Sequence, residues 1–370
     1  MDARRTQSGA GGPSRREVAL GGLAALGAAA MIGPAAAGTP PETLAEAGRR
    51  AGIEVGSAIR GADAGALADM IATECTLVTP ENALKPPRLA PAEGRFTFDE
   101  ASAIFDFAAQ RGLSVHGHTL YWHKQPLGWA VAASRGKGLA ETVALYGTVL
   151  ERILKRFPAA GSWDVFNEIA GYGGQLRPDP EIDRFGLDFV ERLLWRARET
   201  APEVALAINE NDLECGACGT KREHVLAILA ALKARGAPLD ALGVQGHLVS
   251  RDRPDAAAMR DFLRRVEDLG LVIYLSELDV NDARLSADYR LRDTEVAQIY
   301  ADYLGPALEV RAVRRVVFWG IADSANWIAD GGAERRSDGK RQRPALFDRE
   351  LGRKPAYYAV REALAAAPAR

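Results

Sequence analysis

At 370 residues, with 47% hydrophobic and 26% charged side chains, the chain can bury a sizeable core as one large domain or two small ones. A formal charge of −2 and a pI near 6.3 leave no basic footprint for nucleic acid or an anionic membrane. That excludes both partner classes and favours a soluble protein with a neutral or mixed ligand.

The N-terminus carries Ser14-Arg15-Arg16, an apolar run over 18–32 and then Ala35-Ala36-Ala37. A charged region, an apolar core and an A-x-A site predict a signal peptide over residues 1–37. The adjacent arginines resemble a twin-arginine address. The apolar run is shorter than the about 20 residues that span a bilayer. The mature chain, 38–370, is therefore expected to be exported, periplasmic or secreted, and off the membrane.

Short apolar runs at 54–58, 76–78, 114–119, 163–167, 204–209, 242–246, 272–277 and 315–319 predict eight strands. Helical periodicity lies between them, at 98–111, 139–157, 187–200, 221–235, 255–269 and 295–310. Gly and Pro fall at the joins, as in Arg111-Gly112 and Gly236-Ala237-Pro238. The alternation predicts a (β/α)8 TIM barrel forming a single catalytic domain, with a doubly wound sheet as the alternative. Cys75 sits in an apolar stretch and is expected in the core. Cys215-Gly216-Ala217-Cys218 is one lone CxxC without the second pair of a zinc site, and its oxidation state stays open.

Chemistry in such a barrel gathers where strands end. Polar side chains do collect there: Glu81-Asn82, His118, Asn167-Glu168, Asn209, Gln245 with His247, Glu277 with Asp279, and Trp319. Two carboxylates stand out, Glu168 closing Trp163-Asp164-Val165-Phe166-Asn167 and Glu277 closing Tyr274-Leu275-Ser276. A pair of this kind can break a glycosidic bond through an oxocarbenium-like state, one protonating the leaving oxygen and the other approaching the anomeric carbon. Strand alternation puts Glu277 and Asp279 on one face.

In order along the chain, these segments resemble glycoside hydrolase family 10, the xylanases. The matching pieces are Glu81-Asn82-Ala83-Leu84-Lys85, 117–123, 163–168, Gln245-Gly246-His247, Glu277-Leu278-Asp279 and Phe318-Trp319-Gly320. The resemblance implies a retaining endo-β-1,4-xylanase with Glu168 as acid/base and Glu277 as nucleophile. It implies that His247 bonds Glu277, Asp279 orients His247 and Asn167 holds the sugar 2-hydroxyl. Glu81, Asn82, Lys85, His118, Trp122 and Gln125 would line the glycone side. Gln245 would sit near Glu168, Asn209 would join the site, and Trp319 and Trp327 would stack on sugars. The implied partner is β-1,4-linked xylan or a xylo-oligosaccharide, bound by a monomer with no cofactor and no metal. The Glu277 charge is expected to keep Glu168 protonated.

One departure concerns Asn211, which stands where the family carries an aromatic facing the aglycone sugars. Another β-linked glycan or a short oligosaccharide is the alternative substrate. Two other classes compete: a metal-dependent barrel hydrolase built on His116-Gly117-His118, and a non-catalytic glycan-binding protein. Trp163 and Trp195 are expected in the core, and the basic stretch 335–343 is expected to be a solvated loop.

Overall fold

The computed structural model describes residues 42–61, 65–250, 252–253 and 255–370. The predicted signal peptide lies outside them. Nine strands are present: β1 Glu54–Ile59, β2 Leu77–Pro80, β3 Ser114–Trp122, β4 Ala160–Asn167, β5 Ala205–Glu210, β6 Ala241–Val244, β7 His247–Val249, β8 Val272–Asn281 and β9 Val313–Phe318. Neighbours run parallel in the order β6-β5-β4-β3-β2-β1-β9-β8, and pairing of β8 with β6 closes the ring. Eight strands thus make a closed (β/α)8 barrel with helices outside. The doubly wound alternative falls, because an open sheet has no such closing pair.

The sixth expected strand, 242–246, is split. Gly246 takes φ 75°, a left-handed conformation that ends β6, and β7 resumes beside β8 alone. That break separates Gln245, whose N–H still donates to the Glu210 carbonyl, from His247, which opens the β7–β8 pairing opposite Asp279. The largest overruns past the expected strand ends are β3 to Trp122 and β8 to Asn281. The long final run of β8 keeps Glu277 and Asp279 in register on one face.

Most helices fall where the periodicity places them, for example Asp99–Arg111 and Leu187–Thr200. The helix expected from 295 starts earlier, at Tyr289–Leu308, because the Asp288 carboxylate caps the Arg290 and Leu291 N–H groups at 2.9 and 3.0 Å. Cys75 is buried, as expected, while Cys215 and Cys218 are joined in a disulfide.

One expectation is corrected. Trp195 is 42% exposed on the outer face of its helix, whereas Trp163 is wholly buried against Gly117. A Cβ at position 117 would come 2.1 Å from the Trp163 ring, so that indole fixes the glycine. The basic stretch 335–343 is a mostly exposed loop, as expected, pinned to the barrel by two of its arginines. Arg336 donates to the carbonyls of Asp282 and Leu285, and Arg343 makes a two-pronged bond to Asp293 at 2.7–2.8 Å.

Inside the barrel, apolar layers give way to a polar one. His116 Nε2 and His118 Nδ1 both approach Asp164 Oδ2, at 3.0 and 2.8 Å. Arg315 Nη1 donates to Ser162 Oγ at 2.8 Å. Burial pushes the Asp164 carboxyl up, but the two imidazoles outweigh it and hold it well below the usual range. The histidine pair that a metal site would use therefore converges on one core carboxylate.

Candidate active site

At the C-terminal end of β8, Glu277 is 5% exposed and held from two sides. Asn209 Nδ2 donates to its Oε1 at 2.7 Å, and His247 Nε2 lies 3.1 Å from its Oε2. Asn209 belongs to β5 and reaches over β6 to get there. Its register partner on β6 is Gly243, where a Cβ would stand 2.2 Å from Asn209 Oδ1. Ser276 Oγ donates to that same Oδ1 at 2.6 Å, fixing which end of the amide faces Glu277. Asn209 is wholly buried, so its place is beneath the carboxylate rather than along an open wall.

His247 is a relay between two acids. Its Nδ1 lies 2.9 Å from Asp279 Oδ1, and Asp279 Oδ2 accepts from Trp327 Nε1 at 2.6 Å. Burial alone would push the imidazolium down. Asp279 and Glu277 outweigh it, and the His247 pKa rises well above its ordinary value. A protonated His247 donates through both ring nitrogens, one to Glu277 and one to Asp279, and so aims the Glu277 carboxyl.

Glu168, just past β4, takes φ 59°, a left-handed conformation that costs a non-glycine residue about 1–3 kcal/mol and concentrates at functional sites. Its N–H is secured by the Asn209 carbonyl at 2.7 Å. Gln245 Nε2 lies 3.3 Å from Glu168 Oε1 and 3.2 Å from Asn167 Oδ1. Asn209 Nδ2 lies 3.0 Å from that Asn167 oxygen. Gln245 thus holds one carboxylate and Asn209 the other, with the Asn167 amide packed between them.

The ionisation expected of Glu168 is corrected here. Lys124 Nζ stands 2.9 Å from Glu168 Oε2. Burial pushes the carboxyl up, but Lys124 outweighs it, with Gln245 and Trp122 donating as well, so its pKa falls below the ordinary value. Lys124 sits between His123 and Gln125, in a stretch already rich in site residues, and its cation was not anticipated from sequence.

On one flank, Glu81, Asn82 and Lys85 form a chain: Asn82 Nδ2 donates to Glu81 Oε1 at 3.2 Å and Lys85 Nζ to Asn82 Oδ1 at 3.0 Å. Arg60, not anticipated from sequence, holds Glu81 Oε2 at 2.9 Å. Burial pulls Lys85 below its ordinary pKa despite Glu277 and Glu81 nearby. The Lys85 and Lys124 ammonium groups stand 5.0 and 5.4 Å from the Trp122 ring. Gln125 is half-buried beside Trp122, and Trp319 packs edge-on to His118 at 5.2 Å.

On the other flank lies a recess of about 470 Å³, lined by Tyr172, Asp212, Glu214, the Cys215–Cys218 disulfide, Lys221 and His247. Asn211 gives its side-chain oxygen to Arg177 Nη2 at 3.1 Å and to Lys221 Nζ, so the site lacking an aromatic holds two cations in place. Burial, then Asp212, pushes Glu214 up to about 7. Among the described residues, no group of three or more His, Cys, Asp or Glu side chains is arranged to hold a metal ion.

Comparison with known proteins decides the family: the glycosyl hydrolase family 10 profile matches residues 43–363. The chain belongs to glycosyl hydrolase family 10. Endo-1,4-beta-xylanase A of Thermoanaerobacterium saccharolyticum is 31% identical over 80% of this chain, but the match spans only 25% of that longer protein. An endo-1,4-beta-xylanase of Geobacillus stearothermophilus is 30% identical over 83% of this chain and 94% of its own length. Xylanase 10B of Thermotoga petrophila RKU-1, solved in complex with xylobiose, superposes with a TM-score of 0.78 at 27% identity, covering 88% of this chain and 98% of that one. Among the described residues of this family 10 chain, no helix is long and apolar enough to cross a membrane.

Proposed function

We propose that this chain is a retaining endo-β-1,4-xylanase acting on xylan or xylo-oligosaccharides, with Glu168 as acid/base and Glu277 as nucleophile. The observation that carries the reading is the pair of buried carboxylates at the strand ends of a family 10 barrel, Glu168 held by Gln245 and Glu277 held by Asn209 and His247. Glu277 attacks the anomeric carbon while Glu168 gives its proton to the departing oxygen. In the second step Glu168, now a carboxylate, takes a proton from water as water displaces Glu277. Asn167 contacts the 2-hydroxyl, and the flank from Glu81 to Lys85 binds the glycone sugars. The protein works exported, as a monomer, after loss of residues 1–37.

A second reading shifts the substrate to shorter or differently linked β-glycans. It is favoured by Asn211, whose tie to Arg177 and Lys221 puts polar groups where a sugar-stacking aromatic would stand.

The test is product release from β-1,4-xylan by residues 38–370, beside Glu277→Ala and with a chelator, the first-formed anomer being read by NMR. Internal cleavage to short β-anomeric oligosaccharides, lost in the variant and indifferent to chelator, supports the reading. An initial α-product, or loss of activity with chelator, sinks it. Activity confined to short or aryl glycosides moves the assignment to the second reading.

A further inference from the structure

Lys124 follows β3 in the loop His123–Gln125, and its side chain is 50% exposed where that of Glu168 is 5% exposed. A buried carboxylate thus meets a cation that remains anchored in water. We propose that Lys124 sets the balance between the two duties of Glu168, holding it as a carboxylate in the empty cleft and so favouring its action as a base over its action as an acid. The proposal rests on the acid/base reading of Glu168.

The other groups around Glu168 do not replace Lys124. His123, on the same loop, is lowered to about 4, first by burial and then by Arg177, so it is neutral at ordinary pH. Arg177 Nε donates to the Glu168 backbone carbonyl at 3.1 Å, not to its carboxylate. Lys85 is bonded to Asn82. Gln245 donates without charge. Among the described residues, Lys124 is the cation in direct contact with the Glu168 carboxylate.

In the first step the glycosidic C–O bond breaks as the Glu168 proton passes to the leaving oxygen and Glu277 bonds to carbon. In the second, water bonds to that carbon, its proton passes to Glu168 and Glu277 departs. An ammonium at 2.9 Å helps the second step and opposes the first. Because kcat/KM reports the free enzyme and the first step, the effect appears on its basic limb.

The experiment compares wild type, Lys124→Met and Lys124→Arg in the chain 38–370, measuring kcat/KM against pH. Two substrates are used: xylotetraose, whose leaving group needs a proton, and 2,4-dinitrophenyl β-xylobioside, whose leaving group does not. Lys124→Met is expected to carry the xylotetraose basic limb to higher pH, a gain of about three- to tenfold in relative kcat/KM on the falling side. Lys124→Arg restores the wild-type limb, and the dinitrophenyl profile does not move. An active wild type whose basic limb is unchanged in Lys124→Met, or moves equally on both substrates, overturns the role of Lys124 alone. A wild type that cleaves neither substrate overturns the acid/base reading and this inference with it. Carbon-13 titration of the Glu168 carboxyl, present in wild type and absent in Glu168→Gln, must move upward in Lys124→Met; if it does not, the proposal fails independently of turnover.

Discussion

Asn209 reaches Glu277 across a strand that belongs to neither of them. β6 lies between β5 and β8 in the ring, and the 2.7 Å bond passes over it at Gly243. The missing side chain at Gly243 is thus part of how the carboxylate is held.

Gly243→Ala tests that passage. A methyl 2.2 Å from Asn209 Oδ1 must displace the amide, because Asn209 is walled in on every side. The expected result is a fall in kcat of about 10–100-fold with a stability loss of about 1–3 kcal/mol. Turnover measured beside Asn209→Ala checks it, since the two variants should lose activity alike. Full activity in Gly243→Ala would show that Glu277 needs no bond from Asn209.

For the carboxylates themselves, Glu277→Ala should leave less than about a thousandth of wild-type turnover with the fold intact by circular dichroism. Glu168→Ala should lose about 10²–10⁴-fold on natural linkages and far less on activated aryl glycosides, with azide restoring rate. Equal losses on both substrates would remove Glu168 from the acid role.

His247 depends on Asp279, which contacts its Nδ1 at 2.9 Å. In Asp279→Asn the burial that opposes protonation is left with less to balance it, so the His247 pKa should fall. Nitrogen-15 imidazole shifts followed against pH report this directly. Turnover should drop as well, because the single amide oxygen of Asn cannot accept from both His247 Nδ1 and Trp327 Nε1.

Glu214 carries a pH signature of stability. Its folded pKa of about 7 lies above the ordinary carboxyl value, because burial penalises the charge. The stability linked to its neutral form is therefore complete below the unfolded value and lost as pH rises through about 7. Glu214→Gln should be near wild type in denaturation at pH 4 and more stable by about 1–3 kcal/mol at pH 8. A gap that does not widen with pH would mean the charge is relieved another way.

Much of the barrel was legible because its signals are local. The apolar runs and intervening helical periods placed the strands, and the polar residues at their ends marked one face. What stayed hidden depends on contacts far apart in sequence. Arg60 meets Glu81 because β1 and β2 are neighbours, and Lys124 meets Glu168 only after β3 and β4 pair. The ionisation of Glu168 was misjudged for that reason: the sequence displays charges but not which of them touch. The split of the sixth strand turned on one backbone angle at Gly246, which an apolar pattern does not record.

The Cys215–Cys218 bond lies in the wall of the 470 Å³ recess, three residues before the buried Lys221 and beside Glu214. Thiol state thereby becomes a variable of the reagent as well as of the sequence. Reduction of that bond would leave the barrel and both glutamates in place while freeing two residues of the recess wall. Assays of substrate preference should therefore be run in matched storage buffers.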